Sequence, residues 1–298
     1  MDNISVFNDT QEKIKNDSGL KELTENAIAA THVIDEGFFA QSVSYHNETK
    51  VSFEENLTLI SAYALADAGK KTAVLNFANP VEPGGGVLRG ANAQEEYLCR
   101  ASNLYNCLIS PQARDYYDYH NKILKMNQFN SMFLASDKLI YSCGVTFFKE
   151  DRGYIRDCEC KPTQDYSDKW RTLDVITCAA PFFSGKQFML PDGDLYHLMC
   201  RRIRNIFEAA IAHNVEAPVL GAFGCGAFHN PPAVVAKAFQ AVLLEERYSH
   251  AFSDVIFAIK RSGGFCENIE AFEIAFQEFP PTGKYYFSAE SNKRRFFQ

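Results

Sequence analysis

The chain lacks several features that would assign it to specialised classes. It has no uncharged apolar run of about 18 residues, so no membrane-spanning helix is expected. No apolar stretch follows MDNISVFNDT, so no secretory leader is expected. A positive surplus is missing too: 30 Lys and Arg stand against 37 Asp and Glu, a net charge of -7. An acidic chain is a poor non-specific ligand for nucleic acid or anionic membrane. An anionic ligand must then be met by local backbone N–H groups and a few Arg or Lys. No G-x-G-x-x-G follows the first strand, which argues against a dinucleotide-binding oxidoreductase.

Nor do the nine cysteines form a framework. Their number is odd, and most sit in apolar patterns. Cys158 and Cys160 are the single close pair, and no Cys/His pair completes a zinc set. Free thiols in a reducing, cytoplasmic compartment are expected, with no metal and no cofactor. Without a repeat, a low-complexity segment or a linker, the organisation expected is an N-terminal helical extension (1–50), one domain (51–285) and a basic tail (286–298).

What is present is an alternation of strands and helices. Residues 1–31 read as polar helix. Thr31–Ile34 and Lys50–Phe53 read as strands, with Ser42–Tyr45 a weaker third. Asn56 is placed to cap a helix running to Asp67. Thr72–Phe77 is a central strand, followed by a helix from Ala93 to Leu108. Pro111–Lys138 reads as an aromatic insertion, with the run Tyr116–Tyr119, and a short helix. Lys138–Phe148 reads as a strand pair and Glu150–Trp170 as a charged excursion. Then come strand Leu173–Cys178, helix Asp194–His213, strand Ala217–Ala222, helix Pro231–Glu246, strand Asp254–Ile259 and helix Cys266–Gln277. Such alternation predicts an α/β layered fold with a mainly parallel sheet.

Two glycine-rich loops stand out, each between a strand and a helix. Gly84-Gly85-Gly86 costs backbone entropy that a bare turn seldom needs, and free N–H groups there suit a phosphate. Gly224-Cys225-Gly226-Ala227-Phe228 is the second, and two such loops suit a diphosphate. Cys225 has no activating partner in the sequence, so a catalytic thiolate is not expected. Glu95 and Glu96 open the helix after the first loop. Acidic residues favour that position through the macrodipole, and they are also candidates for acid–base chemistry. Adjacent helical positions point about 100° apart, so the two carboxylates are not expected to serve one point. Asn76, polar inside an apolar strand, and Asn79 are candidates for ribose hydroxyls. His197, His213 and His229 are isolated and read as surface or structural histidines.

The stretch NFANPVEPGGGVLRGANAQEE resembles the macrodomain superfamily, and within it the bacterial- and fungal-type poly(ADP-ribose) glycohydrolases. That branch carries a triple glycine followed by Gln-Glu-Glu. Here seven residues, Val87 to Ala93, separate Gly86 from Gln94. GAFGCGAFHN is similar to the family's second diphosphate loop. The resemblance is strongest over 72–108. It implies a macrodomain-like three-layer α/β/α fold with a mixed, mainly parallel sheet. Glu96 is then the catalytic carboxylate, with Glu95 on the neighbouring ribose and Gln94 and Asn79 holding substrate. Gly84, Gly85, Gly86 and Val87, with Gly224, Cys225, Gly226, Ala227 and Phe228, wrap the diphosphate. The implied substrate is poly(ADP-ribose) or ADP-ribosylated protein and the product ADP-ribose, with a monomer expected. Removal of single ADP-ribose units and binding without turnover are the alternatives. Glu82 is a departure that sets an acid beside the phosphate loop.

Overall fold

The computed structural model describes residues 2–43, 48–125, 135–152, 163–182, 191–260, 267–278 and 286–287. The Cys158/Cys160 pair, the basic tail beyond Phe287, and Ser44 and Tyr45 of the expected Ser42–Tyr45 strand lie outside them. The chain forms two compact units. One holds Met1–Glu36 and Asn76–Ala179, the other Gly37–Leu75 and Ala180–Gln298.

The first unit opens with α1 (Asn3–Asn16) and α2 (Ser18–Ala29). Asp17 separates them. Its extended backbone stops α1, and its carboxylate accepts the Leu20 N–H at 3.0 Å to start α2. Strand β1 (Thr31–Ile34) pairs antiparallel with β4 (Leu139–Arg152), which pairs antiparallel with β5 (Thr163–Cys178). The expected strand pair over Lys138–Phe148 is therefore one long strand, and of the charged excursion residues 150–152 belong to β4 and 163–170 to β5. At Gly144 the long strand carries a bulge: the register shifts between Ser142 and Val145. The Gly144 N–H goes to Asp174 Oδ1 at 3.0 Å. A bulge and a turn carry the same glycine signal.

Ile14 and Leu20 bury against Phe148. Next to it Lys149, 1% exposed, donates to Val6 O at 3.0 Å and to Asp9 Oδ2 at 2.7 Å. A buried ammonium needs such partners. These contacts fasten α1 to β4. The single helix expected over Ala93–Leu108 is two, α4 (Gln94–Ala101) and α5 (Leu104–Leu108). Between them Asn103 Oδ1 accepts the Thr146 N–H and pulls the chain onto β4. Helix α6 (Arg114–Lys125) follows.

The second unit pairs its strands in parallel. The start of β3 (Thr72–Phe77) lies against β6 (Ala217–Leu220), β6 against β7 (Asp254–Ala258), and β7 against β2 (Lys50–Glu54), with β8 (Tyr286–Phe287) outermost. Around these strands lie α3 (Thr58–Asp67), α7 (Asp192–Ala212), α8 (Pro232–Leu243), α9 (Glu246–Ser249) and α10 (Glu267–Glu278). Leu57, not Asn56, is the cap of α3: the Asn56 side-chain oxygen Oδ1 takes the N–H of Leu57 itself and caps no N–H inside the helix. Phe53, Phe239, Phe257, Phe272 and Phe276 pack edge and face in the core. Among the described residues no helix is long and apolar enough to cross a membrane.

Candidate active site

The first loop begins where β3 ends. The Asn79 side-chain oxygen accepts the N–H groups of Val81 (2.9 Å) and Glu82 (3.0 Å), a turn that throws the chain out of the strand. Its Nδ2 makes no hydrogen bond among the described residues. The glycines then coil tightly: Gly85 N–H bonds Glu82 O at 3.0 Å and Val87 N–H bonds Gly84 O at 3.2 Å. A 3₁₀ turn, Val87–Arg89, leads towards α4.

Three consecutive side chains of α4 reach back to this path. Gln94 Oε1 accepts the Phe77 N–H at 2.8 Å. Glu95 Oε2 accepts the Asn79 N–H at 2.7 Å. Glu96 Oε1 accepts the Gly86 N–H at 2.8 Å and Oε2 the Ala93 N–H at 2.9 Å. Helical side chains lean towards the N-terminus, so the first turn of α4 can fasten strand end and glycine turn together. Gln94 thus braces β3 through its oxygen.

Two expectations are corrected here. Glu95 and Glu96 do converge. A Cβ on Gly85 would lie 2.5 Å from Glu96 Oε1 and 3.0 Å from Glu95 Oε2. Flexible glutamate side chains overcome the angular separation of their Cα–Cβ bonds. Gly85 has φ +58°, so a side chain there is excluded by both backbone and space. Second, the row of free N–H donors is not free: Gly85, Gly86 and Val87 each donate to an acceptor in the protein. A tight turn closes on itself, and Glu96 takes the donor that remains.

Both carboxylates are buried, at 3% (Glu95) and 7% (Glu96) exposure. Burial pushes Glu95 up to about 8, against the pull of the Asn79 N–H, and the Glu96 charge adds to the rise. Near neutral pH Glu95 therefore carries a proton. Asn76, fully buried, is turned to Thr177 Oγ1 (3.2 Å) and Glu95 Oε1 (3.5 Å), so it supports the carboxyl instead of lying open to a ribose. Of the tyrosine run, Tyr116 and Tyr117 are core residues of α6 and only Tyr119 is exposed.

Residues that no sequence motif marked hold the loop from behind. Asn3 Nδ2 donates to Gly90 O at 2.9 Å. The Phe7 ring meets Tyr105 edge-on at 5.0 Å, and the Tyr105 ring lies 2.7 Å from where a Cβ on Gly84 would be. Arg100 ties Ala91 O and Asn92 Oδ1, at 2.7 and 2.6 Å. The Asn3–Gly90 contact spans 87 residues of sequence and the Phe7–Tyr105 contact is as distant, both beyond the reach of any local pattern.

The second loop, in the other unit, follows β6. Gly224 has φ +74°, and a Cβ there would strike Ala180 and lie 2.5 Å from Asn230 Nδ2. Asn230, 1% exposed, donates to Pro181 O (2.7 Å) and Gly224 O (2.9 Å). It is the lock of this loop, and Asn-Pro-Pro before α8 was its only signal. Gly226 and Ala227 are exposed, and Phe228 is half-buried with its ring edge-on to Phe182 at 5.1 Å. Burial pushes the Cys225 thiol up to about 12, so it is no nucleophile near neutrality.

Residues 5–150 match the family described as microbial-type PARG, catalytic domain. No curated protein matches the chain by sequence. Among solved structures, the poly(ADP-ribose) glycohydrolase (PARG) from Thermomonospora curvata is 28% identical, with a TM-score of 0.77 over 92% of this chain and 99% of that one. The same enzyme bound to the inhibitor ADP-HPD superposes with a TM-score of 0.75. The poly(ADP-ribose) glycohydrolase from Deinococcus radiodurans in complex with ADP-ribose is 28% identical, with a TM-score of 0.69 over 86% of this chain and 97% of that one. In its Gln94-Glu95-Glu96 helix start behind a triple glycine, and in its macrodomain-like α/β fold, the chain is similar to the bacterial-type, microbial poly(ADP-ribose) glycohydrolases.

Proposed function

We propose that the chain hydrolyses the ribose–ribose O-glycosidic bonds of poly(ADP-ribose) and releases ADP-ribose. One observation carries the reading: two buried carboxylates meet beneath a triple-glycine turn at a helix N-terminus. ADP-HPD and ADP-ribose, bound by the T. curvata and D. radiodurans enzymes, support the same ligand class here.

In this reading Glu96 protonates the leaving 2′-oxygen as the C–O bond breaks. It then takes a proton from the water that attacks the anomeric carbon. The transition state is oxocarbenium-like, and the substrate's diphosphate helps stabilise its charge. A carboxyl that is acid and then base works best with a proton available near neutrality. Glu95, neutral near pH 7, donates a hydrogen bond to a ribose hydroxyl and leaves the proton transfers to Glu96 and the attacking water. Asn79 offers its Nδ2 to the distal ribose. Gly84–Val87 line the diphosphate. The enzyme acts as a cytoplasmic monomer on ADP-ribosylated protein.

Glu96→Gln tests this on automodified polymerase, with ADP-ribose release as the readout. A fall on the order of 10²–10⁴ is expected, with a milder loss for Glu95→Gln. Full activity in Glu96→Gln would overturn the assignment. Turnover of singly modified protein alone would favour removal of single units, and ADP-ribose binding with no turnover of either substrate would favour a reader.

A further inference from the structure

Arg89 stands beside the glycine turn and has no role in the mechanism above. It closes the 3₁₀ turn after the glycines. Its Nη2 is 3.7 Å from the point where a Cβ on Gly86 would lie, and Glu96 Oε1 is 3.6 Å from that same point. The guanidinium therefore sits in the neighbourhood of the catalytic carboxylate. It is held there by Glu82 in a two-point pair, Nη1 to Oε1 at 2.5 Å and Nη2 to Oε2 at 2.7 Å. Glu82 is itself fixed to the turn, since its backbone oxygen takes the Gly85 N–H and its N–H goes to Asn79.

Two facts make this pair more than a surface contact. The N–H groups of Gly85, Gly86 and Val87 already have acceptors, which leaves Arg89 as the turn's full positive charge among them. A carboxylate also presents a guanidinium with the same paired oxygens as a phosphate. We propose that Glu82 is a built-in stand-in for the substrate's diphosphate: it keeps Arg89 poised at the glycine turn, and the diphosphate of ADP-ribose takes Arg89 from it. This rests on the reading above that ADP-ribose is the ligand. The side chains are 65% (Arg89) and 38% (Glu82) exposed, and such pairs are cheap to separate. The displaced Glu82 carboxylate then lies near the diphosphate and weakens its hold. Glu82 thereby sets product affinity low and hastens release.

Calorimetric titration with ADP-ribose at low salt tests the exchange in the full chain. Glu82→Gln, which leaves Arg89 without its competitor, should bind about two- to fivefold tighter. Arg89→Leu should bind about tenfold weaker. The double variant should resemble Arg89→Leu, because the Glu82 effect runs through Arg89. The gain in Glu82→Gln should also fade at high salt. Unchanged or weaker binding by Glu82→Gln would overturn the proposal. So would the same gain in the Arg89→Leu background, which would make Glu82 a simple repulsive charge. If the unaltered protein fails to bind ADP-ribose, the functional reading itself falls. If it binds and all variants bind alike, only the exchange falls.

Discussion

The two glycine loops look alike in sequence and are built by different means. The first is held by ionisable groups. Glu95, Glu96, Glu82 and Arg89 all touch its backbone or one another within it. The second is held by a neutral amide, Asn230, and by close packing on Ala180. Its one ionisable side chain among the glycines, Cys225, is kept neutral by burial. A loop held by ionisable groups can bind and do proton chemistry, whereas one held by an amide can only bind. Similar glycine spacing thus says that a backbone turns tightly, and its supports say what the turn is for.

Alanine substitutions give the strongest test of that contrast. Gly85→Ala displaces Glu96 and should lower kcat about a hundredfold, as a catalytic group moved by about 1 Å does. Gly224→Ala meets strain and Asn230, and should cost about 1–3 kcal/mol of stability. Its kcat should change far less. Comparable kcat losses in the two variants would erase the distinction.

Next comes pH. Glu95 has a folded pKa raised from 4.5 to about 8. The unfolded chain therefore loses this proton first. The contribution is fully present below about 4.5 and is lost as pH rises to about 8, roughly a few kcal/mol in all. Urea midpoints at both ends of that window should show the drop in the unaltered protein and a smaller one in Glu95→Gln. Activity should also fall above pH 8, and the variant should lack that limb of the profile.

The smallest effect expected is at the back of the first loop. Asn3→Ala removes one hydrogen bond to Gly90, worth about 1 kcal/mol. Thermal unfolding should detect it, and kcat should shift by no more than about threefold. A larger kcat loss would show that α1 controls the turn's geometry more tightly than one bond implies.

The alternating strands and helices of the second unit were readable because each is short, bounded by turn residues and of one period. The β4–β5 hairpin was not. Gly144 in a bulge gives the same signal as a turn, and the polar stretch from Lys149 to Arg152 has no apolar alternation to follow. Within the site, Glu95 and Glu96 could be named from spacing, but their convergence could not. It depends on side-chain torsions that bring both carboxylates under Gly85.

By itself the sequence determined a strand, a triple-glycine turn and a helix opening on Gln94-Glu95-Glu96, because those are local choices of backbone and composition. Tertiary structure alone decided how the turn's N–H groups are used, which carboxyl is pushed up, and what stands behind the glycines. Those properties come from burial and contacts among Asn3, Phe7, Asn76, Tyr105 and Thr177. Desolvation and packing depend on which distant residues close around a group, and no window along the chain contains them.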